Sequence, residues 1–137
     1  MSDISRQVIR FPLIVIAIML ILIPGCKKKL SPDDALTLAR VRETIVPFVM
    51  NYSMGEGGFP ESYGAMITAG LKPPINPYTG NPMADTGTEK FDPETSPGNF
   101  HYLPIKDESG MFGNFSIYVF GKKGLLRHIR PSELAPE

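Results

Sequence analysis

Residues 30–52 read LSPDDALTLARVRETIVPFVMNY, and the fold is decided by how this stretch is read. Ser31 stands where an N-cap hydroxyl takes a free backbone N–H. Pro32 suits the first helical position, and Asp33 and Asp34 set negative charge against the helix N-terminus. Leu38, Val41, Ile45, Phe48 or Val49, and Tyr52 then recur at steps of three and four, one apolar stripe with Arg40, Arg42 and Glu43 largely off it. The spacing predicts a long amphipathic helix over 32–52. Pro47 inside it removes one backbone hydrogen bond and crowds the carbonyl four residues back, so a departure from regular geometry is expected near 43–47. SMGEGG at 53–58 supplies the glycines that end such a helix.

Downstream, ESYGAMITA (61–69) predicts a short helix stopped at Gly70. Residues 71–99, LKPPINPYTGNPMADTGTEKFDPETSPGN, are too rich in proline and glycine for a long helix or strand. They read as a loop ordered at both ends and mobile around MADTGTEKFDPE. Three aromatic and branched runs follow, FHYLPI (100–105), FSIYVFG (115–121) and LLRHI (125–129). GKKG between the last two reads as a tight hairpin, and the short connections imply antiparallel pairing. In the middle run Phe115, Ile117 and Val119 share one face, predicted to pack on the helix. Ser116, Tyr118 and Phe120 share the other, predicted to be only partly covered. The expected fold class is α+β: one long helix laid on a small three-stranded antiparallel sheet, with a long Pro/Gly-rich loop.

Upstream, Arg6 and Arg10 precede FPLIVIAIMLILIPG (11–25), which carries no charge. As a helix this run reaches about 22 Å, short of the roughly 30 Å of a hydrocarbon core. A basic start, a short apolar middle and a small residue before a break describe a secretory signal peptide; a short uncleaved membrane helix is the alternative. The single cysteine, Cys26, closes that run and precedes Lys27, Lys28 and Lys29. With no second cysteine, no intramolecular disulfide and no cysteine-based zinc site can form within the chain. From residue 26 onward 12 Lys plus Arg face 13 Asp plus Glu, a balance that makes no electrostatic case for nucleic acid. The chain thus divides into a signal peptide or membrane segment (1–25), a basic linker (26–31), a globular domain (32–130) and a polar tail (131–137).

Two resemblances add to this reading. Ile23-Pro24-Gly25-Cys26 resembles the lipobox of bacterial lipoproteins, which implies cleavage before Cys26, lipidation of Cys26 through a thioether and acylation of its new amino group, commonly by palmitate. Several acyl chains would anchor the domain firmly. ARVRETIVPFVMNYSMGEGGFPESYGAMITAGL, NPYTGNPM, SPGNFHYLP and YVFGKKG together resemble the globular domain of type II secretion pseudopilins and type IV pilins. That resemblance covers about residues 35–126 and implies a pilin-like domain in the cell envelope, working with secretion or pilus proteins. It stops short of the N-terminus. Arg10 and Val15 stand where a prepilin has Gly and Glu, and LLRHIRPSEL after Gly124 offers no cluster of oxygen ligands for calcium.

The expected role is therefore structural or interactive: an envelope-anchored, pseudopilin-like lipoprotein. The alternatives are a minor pseudopilin kept in the membrane by its N-terminal helix and, in a different class, a small envelope enzyme. His101, Tyr102, Tyr118 and Phe120 are the candidate interaction surface, although aromatic residues of a small domain more often belong to its core. No catalytic residue, cofactor or metal is expected. The one conceivable acid–base pairing, Asp92 or Glu94 with His101, reads more simply as a solvated loop. His101 and His128 have no partner at metal-ligand spacing.

Overall fold

A computed structural model describes residues 29–134. The leader and membrane-segment alternatives, Cys26 with its expected lipidation, and residues 135–137 lie outside the described residues. The domain is α+β, a helix of 25 residues packed on a three-stranded antiparallel sheet.

That helix, α1 (residues 32–56), begins as its sequence dictates: Ser31 Oγ accepts the Asp34 N–H at 3.2 Å and Pro32 opens the first turn. Its first α-helical part, Pro32–Arg40, runs into a π-helical turn at Val41–Ile45, and regular helix resumes over Val46–Glu56. Pro47 explains the turn. A widened turn, closed by the Val46 N–H on the Val41 carbonyl, gives the ring room that a regular one denies it. The turn also aligns the stripe. Residues spaced by four drift about 40° per step around a regular α-helix, and the extra residue takes up that drift for Val41, Ile45 and Val49, all fully buried. Each such side chain stabilises the fold by about 1.5–3 kcal/mol. The helix outlasts its predicted end by four residues and stops at Gly57, whose φ of 75° is left-handed.

Helix α2 (Tyr63–Thr68) is capped by Ser62 Oγ on the Ala65 N–H. Strands β1 (Phe100–Lys106), β2 (Phe112–Phe120) and β3 (Leu125–Ile129) lie in the order β1-β2-β3. Val41, Ile45 and Val49 of α1 form the core with Phe100, Tyr102, Phe115, Ile117, Val119 and Ile129 of the sheet. The face predicted to meet the helix does so.

Between α2 and β1 the chain has no regular structure, as expected, but it is tied to the domain at several points. Met83 is buried, Ile75 bridges Pro82, and Asp85 bridges Phe100 at the start of β1. Asn76, fully buried, is the node. Its side-chain amide donates to the Pro97 carbonyl (2.9 Å) and to Asn99 Oδ1 (3.0 Å), while its Oδ1 accepts the N–H groups of Tyr78 (2.8 Å) and Thr79 (3.3 Å). Asn99 in turn accepts the Ala84 N–H at 3.0 Å. NPYTG and SPGN are thus two halves of one knot. Residues 131–134, expected in a polar tail, continue the domain instead: Pro131–Glu133 form a 3₁₀ turn and Leu134 packs against the core.

Candidate functional site

The β2–β3 hairpin decides what the outer sheet face displays. An unbulged hairpin closed at Gly121 and Gly124 would set Tyr118 opposite Arg127. In the structure Phe120 pairs with Leu125 but Val119 pairs with Arg127, leaving Leu126 as the extra residue of a β-bulge. Tyr118 therefore faces His128 on one side and His101 on the other. The three rings lie nearly parallel in a row across the sheet. Tyr118 and His128 are 4.3 Å apart between centroids at 13°, and His101 and Tyr118 are 6.1 Å apart at 19°. Arg130 extends the row, its Nε aimed at His128 Nε2 (3.5 Å) and its Nη2 3.2 Å from Nδ1.

Asp85 fixes the other end. Its carboxylate lies 2.7 Å from His101 Nδ1 and accepts the N–H groups of Gly87 (2.8 Å) and Tyr102 (3.2 Å). A carboxylate only accepts, so His101 Nδ1 carries the proton. This contact replaces the pairing of His101 with Asp92 or Glu94. Asp92 is engaged in its own turn, where its carbonyl and N–H both bond Ser96.

Of the four residues expected on an interaction surface, two are part-exposed on the outer face of the sheet. His101 and Tyr118 are half-buried members of the row. Tyr102 belongs to the inner face, 2% exposed, with its hydroxyl donating to the Pro60 carbonyl at 2.7 Å. Phe120 has the predicted face but no exposure, because residues 91–99 fold over that end of the sheet and set the Phe91 ring 6.2 Å from its own. Sequence reasoning missed His128, Arg130 and Asp85. The bulge brings His128 and Arg130 into line, and Asp85 arrives from a loop with no periodicity to place it.

Below Tyr118 the outer face opens into a groove of about 320 Å³ lined by Ile105, Asn114, Ser116, His128, Arg130 and Ser132. A second concavity of about 240 Å³ lies where α1 ends, between Tyr52, Glu56, Phe59, Glu61, Met111 and Phe112. Burial shifts the tyrosines of the core. The Tyr63 phenol, desolvated and facing the Asp85 charge, is pushed up to about 12, and Tyr102 is raised by burial and by Tyr52. Asp107, in the β1–β2 connection, is held below the usual carboxylate range, chiefly by the Ser109 hydroxyl and further by backbone N–H groups of Met111 and Ser109.

Among the described residues no group of three or more His, Cys, Asp or Glu is placed to hold a metal ion, and no helix is long and apolar enough to cross a membrane. Comparison of the chain with protein-family models, with curated proteins and with solved structures finds no match.

Proposed function

We propose that this chain is a lipid-anchored, pseudopilin-like domain of the bacterial cell envelope, with a structural or interaction role in a secretion or pilus-type system. One observation carries the reading. The sheet is covered by α1 on one face, while the other presents the row His101–Tyr118–His128–Arg130, tied at one end by Asp85. Rings stacked on one another and hydrogen-bonded at the margin lose little freedom when a partner arrives, which favours a recognition surface. The pilin-like designation rests on the quoted motifs and on the helix-on-sheet arrangement they share. The proposal assigns no cofactor, no nucleic acid and no catalytic residue.

Mass spectrometry of the protein extracted from bacterial membranes tests it. The expected chain starts at Cys26 and carries a diacylglycerol thioether, and Cys26→Ser accumulates unprocessed precursor. An intact Met1, or a new start at Phe11, would overturn the lipoprotein reading in favour of a membrane helix.

A further inference from the structure

We propose that the groove beside Arg130 is a docking pocket for a carboxylate on a protein partner, an aspartate or glutamate side chain flanked by an apolar residue. This deepens the interaction role proposed above and names the chemistry of its partner.

Charge is the first argument. Asp85 is taken by the His101 ring and Glu133 by Arg127, so Arg130 has no carboxylate partner among the described residues. No acidic side chain lines the groove. The remaining polar groups there can donate. Ser116 and Ser132 contribute hydroxyls, and Asn114 has its Oδ1 held by the Phe115 N–H at 2.9 Å, which leaves the amide NH₂ for a ligand.

The count of cations narrows the ligand to a monoanion. Lys106 lies over the Phe112 ring, 5.5 Å from its centroid, and Arg127 is held by Glu133 at 3.8 Å. The groove therefore offers one guanidinium; its Nε and Nη2 are directed at His128, and a planar carboxylate matches the Nη1–Nη2 edge that remains. A more highly charged phosphate would be poorly compensated.

The shape of the site adds the apolar neighbour. Leu103 and Ile105 stand on β1 opposite Ser116 and Asn114 and are 36% and 40% exposed. They form an apolar shelf along the groove, suited to a leucine-like side chain beside the acid. Tyr118 has a ring against each of its faces, His101 on one side and His128 on the other, which leaves it no face for a stacking ligand.

The test is NMR titration of the full chain in detergent micelles with acetyl-Leu-Glu-amide. The expected result is shifts confined to the groove residues, weakened roughly tenfold or more by Arg130→Gln and by exchanging the peptide for acetyl-Leu-Gln-amide. Added salt should weaken binding and Arg130→Lys should restore only part of it, since a lysine keeps the charge without the fork. The Tyr118 and His128 ring signals in each variant confirm that the face is still assembled. Equal binding of the glutamine peptide, equal shifts with inorganic phosphate, no shift at all, or an unaffected Arg130→Gln variant would each overturn the proposal. Binding seen only after residues 135–137 are deleted would assign the groove to the chain's own terminus and also overturn it. None of these outcomes depends on the chemistry at Cys26.

Discussion

Gly98 shows how tightly a single atom can be specified. A Cβ there would lie 2.0 Å from Asn76 Oδ1, on a backbone whose φ is +75°. Gly110 has a comparable φ of +81° but nothing within 4 Å of the same position. The pair separates two penalties. Gly110→Ala should lose about 1 kcal/mol through backbone strain alone, whereas Gly98→Ala should lose about 3 kcal/mol because the Asn76 knot must also be displaced. Urea unfolding of the two variants measures the difference, and equal losses would mean the knot yields freely. In the sequence, NPYTG and SPGN are readable as turns from their prolines and glycines. That one turn holds the other through a buried amide was not readable, because hydrogen-bond partners 21 and 23 positions apart leave no local pattern.

Among elements, the N-terminus of α1 is joined to the rest of the domain by one carboxylate. Asp34 accepts the Tyr78 hydroxyl from the long loop and, at 3.1 Å, the Lys122 N–H from the β2–β3 hairpin. Burial, followed by the Asp34 hydrogen bond, raises the Tyr78 phenol above its ordinary value. Asp34→Asn and Tyr78→Phe should therefore be non-additive, with a coupling of about 1 kcal/mol in a double-mutant cycle followed by thermal unfolding. Additive losses would show that the hydroxyl and carboxylate stabilise the fold independently. The elements themselves were largely legible. Cap, stripe and turn residues gave α1, α2 and three strands with boundaries off by a few positions. The π-turn was foreshadowed by Pro47, and the bulge at Leu126 was not. That bulge is a one-residue matter of register, and register decides which side chains share a row.

At the scale of the whole molecule, alkaline pH reports on the core. Tyr63 is protonated in the folded state up to about 12 against an ordinary value of 10.0, with its hydroxyl 3.0 Å from the Met83 carbonyl. Between those values the folded chain holds a proton that the unfolded chain releases, so stability is intact below pH 10 and falls as pH rises towards 12. The loss from Tyr63 should approach about 2 kcal/mol, with Tyr102 adding in the same direction. Tyr63→Phe should be less stable near neutrality, having lost a hydrogen bond, yet decline less steeply above pH 10. Urea midpoints across that range, with tyrosinate absorbance as the probe, check the slope; parallel curves for the two proteins would refute it. The candidate site was half legible at this scale. His101 and Tyr118 follow from strand alternation, while Tyr102 and Phe120 were misplaced because the sequence does not say which loop folds over which end of a sheet.

The Asp34–Lys122 hydrogen bond joins positions 88 residues apart, and β1, β2 and β3 all come from the last third of the chain. Contacts of such separation form late, since a long loop must close before any of them is gained. A nascent chain emerging N-terminus first therefore stays threadable until its final strand is free. Only then can the opening helical turn be tied to the hairpin, so that closure of the domain's two ends waits on the segment a ribosome releases last.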